Sequence, residues 1–158
     1  MYDEGVALQL SAMRRRSPGL TEPELDAKLQ RWMRLAESLR ELAGHLDAVG
    51  ARFAVIGGLA ASARGEARFT RNIDLAVSVD DDERAEQLLF ELSQRGYRVI
   101  TTVEHDATGL LATTRSLDPH GVVCDLVFAT SGIEREVVAM GASSRWSTSG
   151  RHSRASSI

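Results

Sequence analysis

The sequence predicts an α/β (α+β) domain. Three observations predict it: apolar residues at helical spacing across residues 21–50, alternating strand and helix patterns across residues 52–103, and two apolar strands flanking a turn at residues 118–121. Thr21 with Glu24 three residues later has the form of a capping box, and Pro23 is tolerated in a first helical turn. Leu25, Leu29, Trp32, Leu35, Leu39, Leu42 and Leu46 then form one stripe, and Gly50 supplies the stop. This is a long N-terminal helix.

Residues 52–56 read as a buried strand closed by Gly57-Gly58. The alanine-rich residues 59–64 suit a short helix ending at Gly65, and the alternation over residues 72–79 suits a strand. Asp80, Asp81 and Asp82 can cap the next helix and favour its positive end. Ala85, Leu88, Leu89 and Leu92 give that helix its apolar stripe, and Gly96 closes it. Residues 97–103 read as a third strand. Residues 109–115 and 122–128 flank Asp118-Pro119-His120-Gly121, so they should pair as an antiparallel hairpin near the C-terminus. A further helix is expected to begin across residues 133–140.

The domain is expected to span residues 21–140. Residues 1–20 have a weak pattern ending in the breaker Ser17-Pro18-Gly19 and are expected to be flexible. Residues 141–158 are mostly Ser, Arg, Gly and Ala with Trp146 as the one large apolar side chain, and are expected to be disordered.

Composition narrows the chemistry. A net charge of -3 gives no general attraction for polyanions, so any nucleic-acid contact needs a local basic patch. The one lysine, Lys28, follows no phosphate-loop glycine pattern, which removes the P-loop lysine and most Schiff-base mechanisms. The one cysteine, Cys124, excludes an intrachain disulfide and points to a reducing compartment. Arg14, Arg15 and Arg16 follow rather than precede the first apolar residues, which is the wrong order for a secretory signal. No apolar run approaches membrane-spanning length. A cytoplasmic protein is expected.

The candidate site starts at Gly57-Gly58. A strand entering two glycines and then a helix exposes backbone N–H groups that suit phosphate, although a plain tight turn explains the same pair. Asn72 and Asp74 lie two apart on a strand and so share a face, while Ile73 and Leu75 point to the core. Asp125 interrupts the apolar strand 122–128, where an unpartnered carboxylate is costly. Edge exposure or a hydrogen-bonded structural role accounts for it, and so does convergence with Asn72 and Asp74. Three such oxygen-bearing side chains can hold Mg²⁺, and two ions there would clamp the oxygens of a phosphoryl displacement. Arg64, Arg68 and Arg71 can pair with triphosphate oxygens and Thr70 can donate to them, or this segment is a solvated charged loop.

Gly57-Gly58, thirteen intervening residues, Asn72-Ile73-Asp74 and a later Asp125 together resemble the nucleotidyltransferase superfamily. Ile56-Gly57-Gly58-Leu59-Ala60, Arg64-Gly65, Arg68, Thr70 and Asp125-Leu126-Val127 resemble its minimal bacterial members, including the abortive-infection (AbiEii-like) toxin–antitoxin enzymes. The resemblance covers residues 50–140. It implies a mixed sheet flanked by helices, a nucleoside triphosphate donor such as ATP, Mg²⁺, and nucleotidyl transfer to a hydroxyl on tRNA, a protein or a small molecule. Gly57, Gly58, Arg64, Arg68 and Thr70 would then bind nucleotide. Asp74 and Asp125 would hold metal with help from Asn72, and Asp125 would help deprotonate the acceptor. An antitoxin or toxin partner is also implied.

Two departures open a second reading. Asn72 stands where the family carries an acidic residue, which leaves two negative charges and fits a catalytically inactive binding or regulatory module. Family members also continue into a helical part, so the chain reads as truncated or frame-shifted after Met140. Cys124 is expected in the core and Trp32 likewise, His45 on the surface, and His120 in the turn. His105-Asp106 lacks a second histidine at ligand spacing.

Overall fold

The computed structural model describes residues 4–63 and 70–129. The elements are α1 (Glu4–Arg16), α2 (Glu22–Ala48), β1 (Arg52–Ile56), α3 (Gly57–Ala63), β2 (Asn72–Ser78), α4 (Asp82–Gln94), β3 (Arg98–Glu104), β4 (Leu111–Leu117) and β5 (Val123–Ala129). The expected helix at 133–140 and the tail at 141–158 lie outside the described residues.

Helix α2 begins where the capping pattern places it. The Glu24 carboxylate accepts from the Thr21 backbone N–H at 2.8 Å and from the Thr21 hydroxyl at 2.7 Å. It stops at a left-handed Gly50, with φ 70°. Around that glycine, Gly50 N–H donates to Asp47 O and Ala51 N–H to Leu46 O, so two orphan carbonyls are satisfied. The same pair of bonds closes α4 at Gly96, whose φ is 90°. At the other end of α4, the Asp81 side chain accepts from Arg84 N–H at 2.8 Å.

The N-terminal segment departs from expectation. Residues 4–16, read as part of a flexible stretch, form α1. Val6, Leu10 and Met13 lie four and three apart, so one helical face carries them, and they pack with Leu25, Leu29 and Trp32 of α2. The stripe of α2 therefore serves two cores. Its first turns build this small cluster, where Trp32 is only partly buried. Leu35, Leu42 and Leu46 enter the main core.

The five strands form one mixed sheet in the order β1-β2-β5-β4-β3. Strands β2 and β5 are parallel, and the other neighbours are antiparallel. The turn at residues 118–121 fixes the β4–β5 hairpin. Asp118 Oδ1 accepts from His120 N–H at 2.9 Å and Val122 N–H at 2.7 Å, and Gly121 takes φ 80°. Helices α2 and α4 cover one face of the sheet, where Ile73, Leu75, Val77, Cys124, Leu126 and Phe128 are buried. The alternate residues of β2 and β5 face the other side, and these carry the polar chemistry. No helix among the described residues is long and apolar enough to cross a membrane.

Candidate metal and phosphate site

The two central parallel strands set the site. In their register Asp74 is the direct partner of Asp125, so both carboxylates project side by side from the face opposite α2 and α4. Asn72, two residues earlier on β2, reaches across and donates from its amide nitrogen to Asp125 Oδ2 at 3.3 Å. These three sequence-identified residues come together. The main chain gives them this common face because Ile73 and Cys124, their neighbours, are each 1% exposed or less in the core.

A fourth residue, absent from the sequence reading of the site, joins them. Arg115 is the β4 partner of Asp125. Its Nε donates to Asp125 Oδ1 at 2.7 Å and its terminal nitrogen to Oδ2 at 2.8 Å, a bidentate fork. The signal for it was the turn. Counting outward from the Asp118–Val122 closure puts Leu117 opposite Val123 and Arg115 opposite Asp125.

The two carboxylates consequently differ. The Arg115 guanidinium holds Asp125 below the usual carboxylate range, with a further contribution from the Asn72 amide. Asp74 has no hydrogen bond or ion pair to any other described residue. Burial raises it above the usual range, and the negative charge of Asp125 raises it further. Asp125 is thus the weaker base of the two.

Gly57 opens α3 at φ 65°, a left-handed conformation suited to glycine. A Cβ there would run into the Asp74 carboxylate, and one at Gly58 would come within 2.8 Å of Thr70 Cβ. Gly57 lets the β1–α3 turn close over Asp74, and Gly58 lets it close over Thr70. Thr70, expected to donate to a phosphate, donates its hydroxyl proton to the Asn72 carbonyl oxygen at 2.8 Å and accepts from Asn72 N–H at 3.3 Å. It fixes the entry of β2 instead. Arg64 and Arg68 lie outside the described residues. Arg71 lines a separate cleft of about 310 Å³ with Arg31 and Arg34, between α2 and the starts of β2 and β5.

The residues set aside are accounted for. Cys124 is buried, and burial pushes its thiol up to about 12, so it is not a nucleophile. His45, expected on the surface, is partly buried, with Nδ1 3.3 Å from the Tyr97 hydroxyl and its ring edge-on to the tyrosine. His120 Nε2 lies 3.1 Å from Glu41.

The donor set limits which cation fits. Among the described residues no group of three or more His, Cys, Asp or Glu side chains is arranged to hold a metal. Two carboxylates and the Asn72 amide remain. That set suits one hard cation that completes its shell with water and phosphate oxygens, and it does not suit two ions. The charge on Asp74, only partly offset by Arg115, is the feature a cation would neutralise.

Fold and site define the chain as a mixed α/β domain whose exposed sheet face carries a paired-carboxylate centre beneath a glycine turn. Comparison with known proteins adds two similarities. Residues 1–54 match a family model described as Rv0078B-related antitoxin. Among solved structures, the chain is similar to the Thermotoga maritima CCA-adding enzyme complexed with tRNA, at 20% identity over 80% of this chain and 25% of that one, with a TM-score of 0.39. A CCA-adding enzyme in an apo form is 18% identical over 84% of this chain and 26% of that one, with a TM-score of 0.40. A CCA-adding enzyme complex with CTP is 19% identical over 83% and 25%, with a TM-score of 0.39. The chain thus spans about a quarter of the length of these structures. No curated protein matches it.

Proposed function

We propose that this chain is a nucleotidyltransferase-type domain that binds a nucleoside triphosphate with Mg²⁺ and transfers a nucleotidyl group to a hydroxyl acceptor, within a toxin–antitoxin system. The observation that carries this reading is the pairing of Asp74 with Asp125 on adjacent parallel strands, under a turn that only glycines can close. Asp74, one oxygen of Asp125 and the Asn72 amide oxygen would hold the ion. Bound there, Mg²⁺ supplies charge neutralisation and bridging of phosphate oxygens. The chain's own residues do the positioning. The backbone N–H groups of Gly57 and Gly58 would meet a phosphate beside Asp74, Thr70 orients Asn72, and Arg115 would pair with a phosphate brought to Asp125. Arg64 and Arg68 are proposed to pair with the triphosphate. The acceptor is tRNA or a protein, and the match of residues 1–54 to an antitoxin model supports a toxin or antitoxin partner.

Calorimetric titration with Mg²⁺-ATP tests this reading. Saturable binding is expected, and Asp74→Ala should abolish it in a folded protein. Binding that survives in Asp74→Ala would remove the site from Asp74.

A second reading has its own observation. Both oxygens of Asp125 are engaged by Arg115, and Asn72 donates to one of them, an arrangement that suits a catalytically inactive module that binds nucleotide or a partner. Asn72→Asp separates the two. A gain of transfer identifies a silenced enzyme, and no gain with nucleotide binding intact identifies a binding module.

A further inference from the structure

We propose that Arg115 is a movable counter-ion: it occupies Asp125 when the site is empty and transfers to a phosphate when nucleotide binds, so that cation and nucleotide bind cooperatively. The proposal rests on the reading of Asp74 and Asp125 as a cation and nucleotide site. Its basis is the geometry of the fork. Arg115 engages both Asp125 oxygens, at 2.7 and 2.8 Å, and Asn72 adds a third donor at 3.3 Å. A hard cation needs an oxygen lone pair that is not already directed at an N–H, and it is repelled by a guanidinium on the same carboxylate. The three N–H donors leave Asp125 one free lone pair, on Oδ1, so Arg115 and a cation compete for the carboxylate mainly through charge repulsion.

The two partners differ in freedom. The Asp125 side chain is 14% exposed and is held by the central strands, whereas Arg115 is 51% exposed and projects from β4. The guanidinium can swing away without uncovering core. The carboxylate cannot follow. The charges also leave a place to fill, because two carboxylates face one guanidinium and Asp74 has no partner among the described residues. One cation balances that remainder.

Phosphate provides the release. A guanidinium binds phosphate with the same two-pronged geometry it uses on a carboxylate. A triphosphate arriving beside Gly57-Gly58 offers Arg115 that alternative and leaves Asp125 to the cation. By linkage, each ligand then raises the affinity for the other by the same factor.

The test uses the full chain with Mn²⁺ as the probe ion, followed by paramagnetic resonance, and metal-free ATP in chelator, followed by calorimetry. Arg115→Gln and Arg115→Ala are compared with the unaltered protein after thermal melts show that they fold. Without its competitor, the site in both variants is expected to bind Mn²⁺ about tenfold more tightly, within the usual range of coupling between sites. Metal-free ATP is expected to bind more weakly to both. These opposite signs are the signature, because a purely structural Arg115 would weaken both ligands. Mn²⁺ affinity that is unchanged or reduced in the variants overturns the role of Arg115 and leaves the site standing. Absence of Mn²⁺ binding in all three proteins overturns the site reading and the Arg115 proposal with it.

Discussion

Asp74 is the residue on which sequence, geometry and electrostatics agree most closely. It lies on the polar face of a central strand, beside a second carboxylate, and its charge is opposed by burial and by Asp125. A charged group so placed lowers stability. Because the folded value lies above the ordinary one, the folded state binds this proton more tightly, and stability falls as pH rises through the carboxylate range. Asp74→Asn is therefore expected to raise the melting temperature of the ligand-free protein at pH 7. The difference should close in acid, where both side chains are neutral. Equal melting temperatures at pH 7 would contradict the assigned environment. Asp125 carries the opposite sign. Its pairing with Arg115 contributes stability above the ordinary carboxylate range and loses it as pH falls through the lowered folded value. At this scale the sequence was legible wherever a local period carried the information. Alternation put Asn72 and Asp74 on one face and exposed Asp125 as an anomaly in an apolar strand. Arg115 was not legible because its place depends on strand register, and the bond from the Thr70 hydroxyl to the Asn72 carbonyl is a turn detail that no period encodes.

Among the elements, α2 joins parts that the sequence reading kept separate. A helix of 27 residues is about 40 Å long, more than one face of the sheet needs. Its first half therefore requires another partner, and α1 provides it through Met13, Leu10 and Val6. The apolar period of α1 spans only Val6, Leu10 and Met13, which is too short to mark a helix before the breaker Ser17-Pro18-Gly19. The second half of α2 is integral to the sheet. Leu42 is fully buried there, so Leu42→Ala is expected to cost about 2–5 kcal/mol in urea unfolding. Leu8, 71% exposed on α1, should change stability by less than about 0.5 kcal/mol when replaced by Ala. Similar losses at the two positions would contradict the burial of Leu42 and the exposure of Leu8.

Across the whole molecule, the antitoxin-related match over residues 1–54 and the carboxylate site are physically joined. The matched residues include α1, α2 and the start of β1, and the same α2 leucines back the strands whose other face carries Asp74 and Asp125. The second half of α2 is thus part of the domain's main core, and α1 joins it through the small cluster on the first half of α2. The alternation of strands and helices, the hairpin and the glycine stops were legible because each is a local pattern. The full strand order was not, since no local period encodes pairing between residues far apart in sequence; the adjacency of β2 and β5 was legible only through the convergence of Asp125 with Asn72 and Asp74.

The most direct test of the central claim, that Asp74 and Asp125 form a single cation and nucleotide site, is anomalous diffraction from crystals grown with Mn²⁺ and a non-hydrolysable ATP analogue. One manganese peak within coordination distance of both carboxylates and of a phosphate oxygen, with Arg115 turned onto the phosphate, is the predicted result. Nucleotide bound elsewhere, or manganese that avoids both aspartates while Arg115 stays on Asp125, would contradict it.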